Sequence, residues 1–174
     1  MPGKFATERL DLRPLTLADS SWLVDLNSDA AVMKFITGRA SSPEESEREA
    51  RAAVGNRWLV FDRSSSAFLG WVGAIPAARS GEFELGWRFR RAAWGHGYAT
   101  EASGALLQCL FAEGARRAFA ETMAVNSPSR AVMERIGLRR VRTFHLEFEE
   151  PLPGTELGEV EYDMTRTEWA QRPA

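Results

Sequence analysis

The chain has 174 residues, 44% hydrophobic and 26% charged, the make-up of one packed domain rather than of a disordered or fibrous chain. A formal charge of −2 gives no basic footprint for nucleic acid. One cysteine allows no internal disulfide or multi-cysteine zinc site, and two histidines are too few for a histidine-rich metal centre.

In chain order, residues 9–14 alternate in polarity and then meet Pro14, the pattern of a first strand. Residues 16–27 set Leu17, Trp22, Leu23 and Leu26 near helical spacing, with Asp19 early in the segment. Pro43-Glu44-Glu45 opens a second helix, because proline and acidic side chains suit a first helical turn. Residues 57–62 and 68–75 read as strands joined by the turn Arg63-Ser64-Ser65-Ser66. Residues 82–89 alternate cleanly, with Phe83, Leu85, Trp87 and Phe89 on one face and Glu84, Gly86 and Arg88 on the other.

Residues 97–113 carry Ala99, Ala102, Leu106, Cys109 and Leu110 on one helical stripe, with Gly114 as terminator, so Cys109 is expected in the core. A short strand over 118–125 follows. Ser127-Pro128 starts another helix that Gly137 ends. Residues 138–148 and 159–166 read as two closing strands around Pro151-Leu152-Pro153-Gly154. The fold expected is α+β: one domain over residues 1–174, with a mixed, mostly antiparallel sheet flanked by helices. No segment reaches membrane-spanning length and residues 1–10 lack an apolar run, so a cytoplasmic protein with no membrane partner is expected.

The segment richest in chemistry is Trp94-Gly95-His96-Gly97-Tyr98-Ala99-Thr100-Glu101-Ala102, where a strand ends, a glycine-containing loop turns and a helix begins. Glycines allow close backbone approach, and a helix start presents unpaired N–H groups and a positive dipole end, which suits a pyrophosphate. No Gly-Lys-Ser/Thr follows, and the third element of the dinucleotide fingerprint is missing.

Together with Glu84-Leu85-Gly86-Trp87, Asn126-Ser127-Pro128-Ser129 and the closing residues 159–169, this segment resembles the acetyl-CoA-binding core of GNAT acetyltransferases. The likeness is nearest to the branch of the ribosomal-protein N-terminal acetyltransferases. It implies an N-acetyltransferase that uses acetyl-CoA as cosubstrate, with no metal, acting on a primary amine of a small molecule or a protein N-terminus. It implies that Trp94, Gly95, His96, Gly97, Tyr98, Ala99 and Thr100 lie along the pyrophosphate, and that Trp87, Arg88 and Phe89 pair with the pantetheine arm. Asn126 would hold that arm by its amide. Many relatives carry a tyrosine seven residues after this asparagine to protonate the leaving thiolate; Met133 stands there and cannot donate. In this branch Ser129 takes that part.

The acceptor side needs a base, because an alkyl amine with pKa near ~10.4 is neutral in roughly one molecule of a few thousand at pH 7. Glu84, beside the missing side chain of Gly86, is the candidate, with His145 placed near the acceptor. The plain alternative makes Glu84 a salt-bridge partner of Arg88 and Ser129 a helix residue bonded to backbone. Trp22, Trp58 and Trp71 are expected in the core. At the level of function, a non-catalytic acyl-CoA-binding module and an acyltransferase using another acyl-CoA remain open. The acceptor's identity and the choice between monomer and homodimer are not legible.

Overall fold

The computed structural model describes residues 2–172. Eight strands form one sheet in the order β1-β2-β3-β4-β5-β6-β8-β7: β1 (Phe5–Ala6), β2 (Leu10–Pro14), β3 (Arg57–Asp62), β4 (Phe68–Pro76), β5 (Glu82–Phe89), β6 (Arg117–Met123), β7 (Arg139–Phe144) and β8 (Glu159–Thr165). All neighbours are antiparallel except β5 and β6. The short β1 has no sequence signal of its own, since two residues are too few to show an alternation.

The helices are α1 (Ser20–Asn27), α2 (Pro43–Ala53), α3 (Tyr98–Ala112), α4 (Ser127–Arg135) and α5 (Arg166–Ala170). Ser42 caps α2 by accepting from Glu45 N, with Pro43 in the first turn, so both expected start signals operate. The reading of 159–166 as all strand is shortened because Thr165 and Glu168 form a capping box that turns the chain into α5.

Two cores follow from strand alternation. On one face, Leu10, Leu12, Trp58, Val60, Val72, Leu85, Ala118, Ala120, Val160 and Tyr162 pack against Ala102, Leu106, Leu110 and Phe111 of α3 and Val132 and Met133 of α4. On the other, Leu59, Phe68 and Trp71 pack against Leu23 and Leu26 of α1 and Ala50 and Ala53 of α2. Trp58 and Trp71 are buried as expected, and Trp22 packs at the margin of the second core. Cys109 departs from expectation: the buried stripe runs through residues 102, 106, 107 and 110, and Cys109 lies half-buried beside it. The helices of the second face cover β2 to β4 and reach Arg88 of β5; among the described residues no helix lies over the same face of β6, β8 and β7.

Candidate active site

The site begins where the sheet changes sense. β5 and β6 pair in parallel only from Glu82–Arg117 to Glu84–Phe119. Beyond that point β5 stays paired to β4 through Phe89, while β6 turns to β8. Among the described residues, no strand pairs with the other edge of β5 over residues 85–89, and a seam opens between the halves of the sheet.

β5 leads into the loop that starts α3. Gly95 and Gly97 hold φ of +77° and +79°, the left-handed region in which a side chain is strained. Gly97 occupies the N-cap of α3. Among the described residues, the main-chain N–H groups of Gly95, His96, Gly97, Tyr98, Ala99 and Thr100 have no protein acceptor, so the helix start offers a nest of donors. Arg9, from the distant β2 side, braces this loop. Its Nη1 donates to His96 O at 3.0 Å, its Nε to Glu101 Oε2 at 2.7 Å, and its guanidinium lies 4.7 Å from the Tyr98 ring centre. Thr7 Oγ1 donates to the same carboxylate at 2.5 Å. Burial pushes Glu101 up, but these bonds outweigh it and hold its carboxyl below the ordinary value. Trp94 donates its Nε1 to Phe89 O at 2.8 Å, tying the loop back to β5. The exposed ring of His96 stacks on Tyr98 and sets its Nδ1 2.7 Å from Trp94 O.

Glu84, Gly86 and Arg88 share the other face with Trp71, Gly73 and Ile75 across the register. Glu84 does not pair with Arg88. Arg88 instead donates to Asn27 Oδ1 at 2.5 Å and Glu49 Oε2 at 3.0 Å. Glu84 is half-buried and, among the described residues, has no hydrogen bond or ion pair; burial pushes its carboxyl above the usual range. A Cβ on Gly86 would lie 3.5 Å from Trp71 Cζ3, in ordinary contact, so the indole forms a wall beside this glycine. The rest of the open half-sheet is acidic, with Glu121 on β6 and Glu159, Glu161 and Asp163 on β8. Arg117 binds Glu82, Glu161 and Asp163, and Arg142 binds Glu161 at 2.6 Å. Leu152 of the β7–β8 connection packs directly on Gly38 of the α1–α2 connection.

The acetyltransferase (GNAT) domain family matches residues 9–139, three-quarters of the sequence. The chain belongs to the GNAT acetyltransferase family. FsC-acetyl coenzyme A-N(2)-transacetylase of Aspergillus fumigatus is 34% identical over 188 residues, covering 97% of this chain and 79% of that one. The GNAT-family acetyltransferase from Bacillus anthracis superposes with a TM-score of 0.81 at 27% identity, covering 95% of this chain and 99% of its own. RimL, a ribosomal L7/L12 alpha-N-protein acetyltransferase solved with coenzyme A, shares the fold with a TM-score of 0.76 at 18% identity, covering 91% of this chain and 95% of that one. This GNAT chain is an acetyl-CoA-dependent N-acetyltransferase. Its own residues fit the cosubstrate on two counts: the unpaired edge of residues 85–89 can take an extended amide-bearing arm, and the donor nest of residues 95–100 can take phosphate oxygens.

The remaining GNAT candidates fall on both sides of the seam. Asn126 caps α4, its Oδ1 accepting from Ser129 N at 3.4 Å and its Nδ2 donating to Thr122 Oγ1 at 2.9 Å. Ser129 sits in the first turn of α4, half-exposed, and among the described residues its hydroxyl makes no hydrogen bond. Met133, four residues on, is 1% exposed and belongs to the main core. His145 lies just past β7, exposed, its ring against Gly158 and one residue from Glu159. Arg9 and Glu159 escaped the sequence reading. Arg9 stands 87 residues from His96, and only the sheet order brings β8 beside β6, so no local pattern carried either signal.

Proposed function

We propose that this enzyme transfers the acetyl group of acetyl-CoA to a primary amine by direct attack in a ternary complex, with Glu84 as base and Ser129 as acid. One observation carries the reading: Glu84 is a half-buried, unpartnered carboxylate at the foot of the seam, facing the side of the sheet opposite α3. The main-chain donors from Gly95 to Thr100 would hold the pyrophosphate. The free edge at Trp87, Arg88 and Phe89 would hold the arm, with Asn126 beside it. That leaves the thioester at the seam and the amine on Glu84's face. The name of the fungal relative, an N(2)-transacetylase, supports nitrogen as the acceptor atom.

Deprotonating an alkylammonium at pH 7 requires about 4–5 kcal/mol at ~1.4 kcal/mol per pH unit. A carboxylate attracts the ammonium and relays its proton through water. As a base Glu84 must be ionised, and burial raises its pKa, so the rate rises with pH through a value above the ordinary carboxylate range. Ser129, with its hydroxyl uncommitted, would return a proton to the thiolate.

The test is thiol release against pH. Glu84→Gln is expected to lower kcat by ~10²–10⁴-fold, to leave acetyl-CoA affinity nearly unchanged and to remove the carboxylate limb of the profile. Ser129→Ala is expected at or below the small end of that range, because a thiolate is already a good leaving group. Wild-type turnover and an unchanged profile in Glu84→Gln would return this residue to the solvated surface.

A further inference from the structure

On the open half of the sheet, Glu82, Glu161 and Asp163 are neutralised by Arg117 and Arg142. Glu84 and Glu159 are not: among the described residues neither has a hydrogen bond or an ion pair, and burial alone pushes both carboxyls up. Glu159 is the more telling of the two. Only 8% of it is exposed, yet its carboxylate oxygens are not sealed from solvent. A buried, unpaired carboxylate with an open tip is costly to retain unless something cationic meets it.

The register fixes where these groups stand. Glu84 pairs with Phe119, Glu121 with Glu161, and Met123 with Glu159, all on the face away from α3. Diagonal neighbours on paired antiparallel strands lie roughly 7–8 Å apart, which sets the step from Glu121 to Glu159. Glu121 stands two residues past the last β5–β6 pair, across the seam from Glu84 and near enough to feel its charge. Glu121 feels both ends. Burial pushes its carboxyl up, and the charges of Glu84, Glu161 and Glu159 push it further, against the pull of Arg142. Among the described residues no three of these groups converge as metal ligands would. Separated carboxylates match separated charges on one extended molecule.

We propose that the acceptor is an organic dication, a small diamine or longer amine. The amine to be acetylated lies against Glu84, and a second ammonium pairs with Glu159 after the methylene chain crosses Phe119 and Glu121. This rests on the amine-acetylation reading above. The reacting nitrogen, once deprotonated, bonds to the acetyl carbon as the carbon–sulfur bond breaks. The thiolate leaves and takes up a proton, and the second ammonium is unchanged, so the product carries one positive charge fewer.

The experiment measures thiol release by the full chain with alkyl monoamines and with α,ω-diamines of increasing length. Expected is a kcat/KM ratio of diamine to monoamine of about tenfold or more, with an optimum where the nitrogens are roughly 7–15 Å apart, the span of one to two cross-strand steps. Glu159→Gln, which removes charge from a side chain without partners, should lower that ratio about tenfold. A bis-quaternary alkane, which cannot be acetylated, should compete with the diamine and lose about tenfold in affinity in Glu159→Gln; this reads the subsite without catalysis. Monoamine turnover without any diamine preference, or a ratio and inhibitor affinity that Glu159→Gln leaves unmoved, would overturn the subsite while the acetylation reading stands. Thiol release with no amine of any length would overturn the acetylation reading and the subsite with it.

Discussion

Arg9 reaches the 95–100 loop from the turn between β1 and β2, and its planar fork is what makes the contact specific. One nitrogen fixes the His96 carbonyl, two face Glu101, and the plane covers Tyr98. By holding a carbonyl back and a carboxylate down, it leaves the amides of Gly95 to Thr100 pointing outward. Arg9 is thus a positioning residue, and its loss should act on binding rather than chemistry. Arg9→Ala is expected to raise KM for acetyl-CoA about tenfold, the range of a lost charge-assisted hydrogen bond, with kcat within about twofold. Arg9→Lys, which keeps the charge without the fork, should recover only part of this. Initial rates against acetyl-CoA concentration separate the two parameters, and a fall in kcat at constant KM would remove Arg9 from the loop's support. Met133 makes a related point at this scale. Its thioether lies in the main core and has no proton to donate to a thiolate.

Helices α1 and α2 are riveted to β5 by one buried polar cluster, and Glu49 is its hub. Arg57 donates to Glu49 at 2.6 Å, Arg88 at 3.0 Å and Asn27 at 2.7 Å, with Asn27 fully buried. Burial pushes Glu49 up, but the charges of Arg88 and Arg57 outweigh it and hold its carboxyl below the ordinary value. Glu49→Gln would leave two guanidinium groups without a counter-charge. The expected loss is about 2–3 kcal/mol, below the ~3–5 kcal/mol of a fully enclosed pair because the Glu49 side chain is 25% exposed. A carboxyl lowered on folding contributes stability above its unfolded pKa and loses it as pH falls through the folded value. Urea unfolding of Glu49→Gln and wild type should therefore differ at pH 7 and converge in acid; equal stability at pH 7 would show that Arg57 and Arg88 find other partners. None of this cluster was legible in the sequence, where Glu49 is one of several mixed charges on a helix. The elements themselves were legible, because strand alternation and helix caps are local: residues 82–89 and the start of α2 read directly, while α4 is capped by Asn126, one residue before the expected Ser127. The last strands were overrun. Residues 138–148 keep alternating polarity through Leu146 and Phe148, but pairing with β8 ends at Phe144–Glu159, and the rest becomes the loop that meets Gly38. The 94–102 stretch and Glu84 stood out as candidates because each lies in one short segment; Glu159 did not, because its place beside β6 comes only from the sheet order.

Across the whole molecule, one seam divides the sheet into five strands and three, joined by three residue pairs, by Arg117 reaching from Glu82 to Glu161 and Asp163, and by α3 beneath. A cosubstrate lying along β5 in that seam replaces missing strand pairing with its own amides, so its binding should be visible as structure as well as affinity. Coenzyme A at 100 times its dissociation constant stabilises the folded state by about 2.7 kcal/mol, which for a chain of this size raises Tm by roughly 5–10 °C. That global gain slows every amide that exchanges only through complete unfolding, and so does not locate the ligand. The local signature does. Amides of residues 85–89 that point away from β4, and those from Gly95 to Thr100, have no protein acceptor and should exchange fast in the free protein. On coenzyme A binding they should slow well beyond the change in β3 and β4, whose amides are paired throughout. Protection confined to the 95–100 loop would mean that the nucleotide end docks while the arm lies elsewhere. Protection spread evenly over the sheet, with no excess at β5, would show that the seam is closed by the protein itself and that the open edge is not where the cosubstrate lies.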